Sequence, residues 1–189
     1  MPVDVTRELG TLLEPLHLPA AARWVRGAAL HVTLVFIGAT WPREVPTIAA
    51  TMEDIASRHA PIRLRLGRAG SFGGGGRPRV AWIGLDAGVP ELRDLADELH
   101  PRVLRRWTGP PRPLTPHITV ARRAADDLVE RMDEVLAGVP PVEWTADRMI
   151  HYRSHLGIGP PMHEQLTVAR LGVPAGVAGD VATTAPGEG

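Results

Sequence analysis

Two short segments with nearly the same pattern constrain the fold of this 189-residue chain more than any other feature. They read HVTLVF at 31–36 and HITVAR at 117–122. Their histidines are 86 positions apart (31 to 117), nearly half of the chain, and a loop and a helix are predicted after each. This spacing indicates one structural unit used twice, which predicts two lobes related by a pseudo-twofold axis.

Each segment reads as a β-strand that offers one polar face. Side chains alternate along a strand, so His31 and Thr33 share one face, while Val32, Leu34 and Phe36 share the other. His117 and Thr119 likewise oppose Ile118 and Val120. If the two lobes meet face to face, two His-x-Thr pairs line one cleft.

Paired imidazoles and hydroxyls suit attack on a phosphodiester. One neutral and one protonated histidine can divide base and acid work near neutral pH, and each proton transfer contributes roughly 10²–10⁴-fold in rate. Threonine hydroxyls can hold non-bridging phosphate oxygens. The competing interpretations are a hydrogen-bonded structural histidine at each position, or a metal site that uses His151 and His155, which have i,i+4 spacing but lie in a strand-like stretch.

The composition excludes several mechanisms. There is no cysteine, hence no disulfide, thiolate nucleophile or iron–sulfur cluster. All 21 basic residues are arginine, so Schiff-base, P-loop and lysyl-adenylate chemistry are excluded, and ATP-dependent ligation with them. Two windows, 55–85 and 101–125, each hold six arginines and no acidic residue. They indicate either a local anion site or solvated arginine-rich faces.

Periodicity predicts a mixed α+β chain rather than a doubly wound parallel sheet. Helices are predicted over 4–16, 43–58, 90–107 and 126–136. Strands are predicted over 30–37, 61–71, 78–85 and 117–121, with further strands in the segments VEWTADRMIHYRSHL and HEQLTVARL. The run Gly73–Gly76 lacks the Gly-Lys-Ser/Thr of a phosphate loop and reads as a flexible hairpin loop.

The paired motifs resemble those of the 2H phosphoesterase superfamily, and among its members the RNA 2′,3′-cyclic phosphodiesterases, historically called 2′-5′ RNA ligases. The segments ARWVRGAALHVTLVFIG and RPLTPHITVARR are similar to that family's two motif regions. The segments IRLRLGRAGSFGGGGRPRVAWIGL and ADRMIHYRSHLGIGPPMHEQL are similar to its central and closing hairpins. The resemblance implies a bilobal α+β fold of antiparallel sheet and helices, with the active site in the groove between the lobes.

The resemblance also implies an activity and roles. It implies hydrolysis of an RNA 2′,3′-cyclic phosphate to a 2′-phosphomonoester, without metal, cofactor or ATP. Carried over to this chain, His31 is the proton donor and His117 the proton acceptor. Thr33 and Thr119 hold the phosphate, and Arg122, where the family often has a basic residue, is a further phosphate contact or a surface arginine.

The chain departs from the family at both ends. Family members usually begin with an apolar strand before the first helix, whereas MPVDVTREL starts near the helix itself. Either the first lobe lacks this strand, which would expose a sheet edge, or the start site of the chain is assigned too late. We expect a single domain over 1–171 and a disordered tail over 172–189. No signal peptide or membrane-spanning run is visible, so we expect a cytoplasmic monomer that does not contact membranes.

Two alternatives for the function stay open at this point. The site could act on a small cyclic phosphate or a 2′-5′ linked nucleotide, or the chain could bind RNA ends without catalysis. Aromatic residues that could stack on bases or simply pack are Phe36, Trp41, Phe72 and Tyr152. Three tryptophans read as core: Trp24, Trp82 and Trp144.

Overall fold

The computed structural model describes residues 1–17, 22–73, 80–104, 113–125, 127–155 and 162–172. Within these ranges the chain forms four α-helices: α1 (Val3–Leu13), α2 (Val45–Arg58), α3 (Val89–Val103) and α4 (Leu128–Ala137). They match the four predicted helices, with ends that differ by a few residues. The periodicity explains why: α1, for example, buries Val5, Leu9 and Leu13 at four-residue spacing on one face.

Seven strands in the same ranges form two antiparallel sheets, which confirms the predicted α+β class. The strands are β1 (Arg23–Trp24), β2 (Ile62–Phe72), β3 (Val80–Ala87), β4 (His117–Arg122), β5 (Glu143–Ala146), β6 (Arg148–His155) and β7 (Met162–Arg170). The larger sheet has the order β1-β4-β3-β2-β5, and β6 pairs with β7 in a separate two-stranded sheet.

The helices divide between the two sheets. Helix α4 packs against β2 and β3 of the larger sheet, with α1 beside it, while α2 packs against β6 and β7 and contacts α3. The core extends without interruption from Val5 on α1 to Leu171 after β7. The bilobal architecture is therefore present, but its two sheets are unequal in size.

The predicted strand over 30–37 does not form, and this part of the prediction is wrong. The segment pairs with β4 at one position only, an isolated antiparallel bridge between Val32 and Ile118. Phe36, expected on the buried face, is 83% exposed. Four aliphatic side chains at both odd and even positions are half-buried instead: Val32, Leu34, Val35 and Ile37. The near-continuous apolar run thus lacks the strict alternation of a half-buried strand.

Several other predictions concern the ends and loops of these elements. Strands β2 and β3 pair antiparallel as the hairpin prediction requires, but residues 74–79 of its loop lie outside the described residues. Residues 173–189 of the predicted tail also lie outside them. The missing first strand and the single domain over 1–171 stay predictions. No helix in the described ranges is long and apolar enough to cross a membrane.

Candidate active site

The bridge between Val32 and Ile118 brings the two His-x-Thr motifs side by side. Ile118 is fully buried, so the residues that flank it on β4 point to the opposite face. In an antiparallel pair, the positions on either side of the bridge oppose each other: His31 lies across from Thr119, and Thr33 across from His117. The two histidines are thus diagonal neighbours, which in a regular antiparallel pair lie about 7–8 Å apart.

Both histidines are held by the same backbone contact. His31 Nδ1 lies 2.7 Å from the carbonyl oxygen of Ala29, and His117 Nδ1 lies 2.7 Å from that of Thr115. A carbonyl oxygen only accepts a hydrogen bond, so Nδ1 carries the hydrogen in both rings. Nε2 of each ring is therefore the nitrogen that can bind or release a proton, as acid–base chemistry requires.

His31 lies against the β6–β7 hairpin. Its ring centroid is 6.2 Å from that of Tyr152 on β6 and 5.4 Å from that of His163 on β7. Burial lowers the pKa of His31 below its ordinary value, and the nearby rings of His163 and His117 lower it further. The hydrogen bond to Ala29 opposes this shift in part.

His117 lies among aromatic side chains of the larger sheet. Its ring centroid is 4.9 Å from that of Phe72 on β2, in an edge-on arrangement, and 5.9 Å from that of Trp82 on β3. Trp82 pairs across the ladder with Gly70. A Cβ atom at Gly70 would overlap the indole ring, with the Trp82 Cζ3 atom at 2.8 Å. Glycine at this position therefore gives the indole the space it occupies beside His117.

A β-bulge places Arg122 on the face that carries His117 and Thr119. The register runs from Thr119 opposite Trp82 directly to Ala121 opposite Ala81, so Val120 is the extra residue on β4. Arg122 then pairs with Val80, which shares a face of β3 with Trp82. Without the bulge, alternation would point Arg122 into the core, as the sequence pattern alone suggests.

Most of the described arginines in the two acid-free windows have carboxylate partners from outside those windows. The pairs within 4.0 Å are Arg58 with Asp54 and Glu98, Arg63 with Glu143, Arg65 with Asp86 and Glu143, Arg68 with Asp133, and Arg102 with Asp54 and Glu98. In the part of these windows that the structure describes, only Arg122 and Arg123 have no carboxylate within this distance. The first window is therefore a set of ion pairs rather than an anion site as far as it is described.

The aromatic candidates separate into two groups. Phe72 and Tyr152 lie beside the motif histidines, whereas Phe36 and Trp41 are exposed. Trp144 is buried as predicted, and Trp24 is half-buried against the core. Trp82 was expected in the core as well, but it is half-buried and contacts His117.

Sequence reasoning missed His163 as a neighbour of the site. The signal was present, since HEQLTVARL reads as a strand and its pairing with the strand of Tyr152 brings the two residues to one end of a hairpin. His155, considered as a metal ligand, instead contacts Glu164 at 2.9 Å, and His151 is buried. Within the described ranges no group of three or more histidine, cysteine or acidic residues could hold a metal ion.

Comparisons of the sequence with a family model and with known proteins agree with one another. A family model described as the 2′-5′ RNA ligase superfamily matches residues 10–157. An RNA 2′,3′-cyclic phosphodiesterase of Thermus thermophilus is 35% identical over 150 residues, which are 72% of this chain and 69% of the relative. One of Geobacillus stearothermophilus is 28% identical over 161 residues, 83% of this chain, and the chain spans 50% of that relative's length.

Solved structures show the same architecture. The crystal structure of a Thermus thermophilus protein superposes with a TM-score of 0.70 at 28% identity, over 91% of this chain and 94% of that one. Escherichia coli LigT in its apo form gives a TM-score of 0.72 at 23% identity, over 90% of this chain and 92% of that one. At the latter identity the likeness concerns the fold alone.

Proposed function

Because the chain belongs to the 2′-5′ RNA ligase superfamily, we propose that it hydrolyses 2′,3′-cyclic phosphate ends of RNA to 2′-phosphomonoesters. The observation that carries the proposal is the diagonal arrangement of His31 and His117 around the Val32–Ile118 bridge. The names of the Thermus and Geobacillus relatives support the choice of substrate.

The reaction divides between the two imidazoles. His117 Nε2 accepts a proton from water as the water oxygen attacks phosphorus, and the bond from phosphorus to the ribose 3′-oxygen breaks. His31 Nε2 donates a proton to the departing 3′-oxygen, which becomes a hydroxyl. The phosphate stays on the 2′-oxygen. Because the two rings lie on opposite corners of the site, attack and departure occur on opposite sides of phosphorus.

The pKa of His31 bears on its role as the donor. Burial and neighbouring positive charge lower it, so in the free protein the His31 ring is protonated less readily than an ordinary histidine. A bound cyclic phosphate brings a negative charge next to the ring, and an opposite charge at this range favours the protonated form. A ring whose pKa is low is also a stronger acid once it is charged, which favours proton transfer to the 3′-oxygen.

The two threonines occupy the remaining positions around the bridge and bind the phosphate. Thr33 is exposed and Thr119 half-buried, and each lies across from the histidine of the other motif. Their hydroxyls can donate hydrogen bonds to the non-bridging oxygens while the imidazoles act on the water and the leaving group. Arg122 adds a positive charge on the same face, which stabilises the charge that develops in the transition state.

The mechanism that we propose uses side chains of this chain only and needs neither ATP nor a metal ion. Ligation would be the same attack with an RNA 5′-hydroxyl in place of water: the bond from phosphorus to the 3′-oxygen breaks and a 2′-5′ phosphodiester forms. The alternative to this proposal is a protein that binds RNA ends without catalysis.

The test is incubation of the purified chain with an oligonucleotide that ends in a 2′,3′-cyclic phosphate, with EDTA and without it. We expect turnover under both conditions and a product that carries the phosphate on the 2′-oxygen. Tight binding without turnover would make the chain a binder, and loss of turnover in EDTA would refute the metal-independent mechanism.

A further inference from the structure

The functional face of β4 continues beyond the motif itself. His117, Thr119 and Arg122 all face the same side because of the bulge at Val120. Arg122 is also paired, on its other side, with Arg23 of β1. Residues directly opposite each other in an antiparallel ladder share a face, so Arg23 extends the row that contains the histidine and the threonine.

The pairing of two arginines across a ladder is unfavourable in isolation. Like charges directly opposite each other destabilise a sheet, and neither Arg23 nor Arg122 has a carboxylate within 4.0 Å in the described part of the chain. Both side chains are exposed. Two guanidinium groups without a carboxylate within 4.0 Å among the described residues form a positive site whose natural complement is an anion.

A second pair of arginines in the same protein shows how the chain neutralises such a contact elsewhere. Arg148 pairs with Arg170 across the β6–β7 ladder, again like charge against like charge. There Asp147 lies between them, 2.7 Å from Arg148 and 3.7 Å from Arg170. The contrast indicates that the β1–β4 pair is left open for a ligand that brings its own negative charge.

The distance between the arginine pair and the His-x-Thr motifs indicates which anion the pair would bind. Along β3, Val80 is two residues from Trp82, the partner of Thr119, so Arg122 lies about 7 Å beyond that threonine at about 3.4 Å per residue, and Arg23 lies beside it on the next strand. A guanidinium fork matches phosphate oxygens. An anion at this distance from a terminal phosphate, on the same face, fits the next phosphodiester of an RNA strand.

The backbone of β1 is fixed in a way that suits a binding residue. Trp24 lies opposite Ala121 on the core side, and Val25 N–H donates a hydrogen bond to the carbonyl of Val120 at 2.8 Å. Trp24 is half-buried against the core. Arg23 is therefore carried by an anchored backbone although its side chain is exposed.

We propose that Arg23, on the far side of Arg122 from β3, binds the internal phosphodiester next to the cyclic end, while Arg122 keeps its role at the reacting phosphate, so that the substrate is an RNA chain rather than a mononucleotide. This inference rests on the proposed function for its direction along the strand. It assigns to Arg23 a binding role that does not touch the reacting atoms.

The experiment compares Arg23→Gln with the unaltered chain on two substrates, a 2′,3′-cyclic mononucleotide and a pentanucleotide that ends in the cyclic phosphate. We expect kcat/KM for the pentanucleotide to fall about tenfold, as for loss of one hydrogen-bonded charge, with little change for the mononucleotide. The slope of log affinity against log salt for the pentanucleotide should fall in magnitude by about 0.7, the value for one contact to a single strand.

Two further variants serve as controls. Arg23→Lys keeps the charge and should retain most of the salt slope. Arg170→Gln removes one member of the pair that Asp147 already neutralises and should leave both substrates unaffected. An equal loss on both substrates, or no loss on the pentanucleotide, would overturn the inference.

Binding of the product pentanucleotide with a 2′-phosphate, measured by fluorescence anisotropy, separates this inference from the proposed function. If the chain shows no turnover but Arg23→Gln still weakens this binding and lowers the salt slope, the phosphate subsite stands and the hydrolase proposal fails. If turnover is normal and both quantities are unchanged in the variant, the subsite fails alone.

Discussion

The two motifs carry the same residues but are supported in different ways. His117 lies on a regular strand, β4, whose neighbours on the larger sheet fix its position. His31 lies in an irregular segment that contacts β4 through a single bridge. Both rings nevertheless make the same 2.7 Å contact with the carbonyl two residues before them. The hydrogen bond from Nδ1 to the carbonyl oxygen two residues earlier therefore fixes the orientation of each ring, whether or not the histidine lies on a regular strand.

The surroundings of the two rings differ as well, and this difference bears on chemistry. His117 is flanked by Phe72 and Trp82, which carry no charge, whereas His31 is flanked by Tyr152 and the titratable His163. His117 thus lies among apolar aromatic side chains of the larger sheet. His31 lies where a neighbouring side chain can change its pKa.

Removal of either ring tests whether both motifs are needed. We expect His31→Ala and His117→Ala each to reduce kcat by roughly 10²–10⁴-fold, the contribution of one general acid or base, with the fold retained. The measurement is hydrolysis of a cyclic-phosphate oligonucleotide, with circular dichroism as the check on folding. His100→Ala on α3 is the matched control. Full activity in either motif variant would refute a shared mechanism.

A glycine on the His117 side offers a test of the aromatic corner. Gly70→Ala places a methyl group against the Trp82 ring, so we expect a loss of about 1–3 kcal/mol in the free energy of unfolding, as for other overpacked sites. Activity should fall too, since the indole contacts His117.

The control for this variant is Gly10→Ala, where a Cβ on helix α1 would meet no atom within 4 Å. Alanine is the better helix former by about 0.5–1 kcal/mol, so this variant should be more stable than the original chain. Equal effects of the two substitutions on denaturant unfolding would show that Trp82 moves aside freely.

The charge beside His31 can be removed without loss of the ring. His163→Phe takes away a group that lowers the pKa of His31, so that pKa should rise. If protonated His31 is the acid, the alkaline limb of kcat/KM against pH moves to higher pH, with a change of a few-fold in rate near neutrality. Ser154→Ala, which removes only a 3.1 Å contact to His163 Nδ1, is the control. A shift to lower pH would contradict the assignment of His31 as the acid.

The smallest effect concerns stability and a histidine outside the site. Burial lowers the pKa of His151, which is 7% exposed and whose Nδ1 has no hydrogen-bond partner in the described residues. The unfolded chain then binds more protons than the folded one, so stability falls as pH decreases below about 6.5, the ordinary value. We expect His151→Met to unfold with a weaker pH dependence between pH 7.5 and pH 5. An unchanged dependence would mean that His31 and other groups account for all of it.

The sequence predicted the helices and the paired strands well because their periodicity reports burial directly. The apolar spacing in α1 and the alternation of Ile62, Leu64 and Leu66 in β2 follow from one core that all of them face. The predicted strand over 30–37 failed because an apolar run without alternation does not distinguish a strand from an irregular buried segment. Its residues contact the core on more than one side.

The site was predictable in part. The His-x-Thr repeat predicted His31 and His117 as site residues. Their diagonal placement depends on a bridge between Val32 and Ile118, and no local sequence pattern encodes the register between two distant segments. His163 and Trp82 come to the site through hairpin pairings that are equally non-local.

The extra residue at Val120 has a consequence for how this surface can change over time. Along a strand, inside and outside positions normally alternate with a period of two, and a single added residue exchanges them for everything downstream. Loss of Val120 would remove the bulge and restore plain alternation, so the arginine would follow Thr119 by two positions and stay on the face of the histidine and threonine. A strand that kept every residue but lost the bulge would instead turn Arg122 toward the face of Ile83 and the hydrophobic interior, so a deletion is tolerated here where a straightened strand is not.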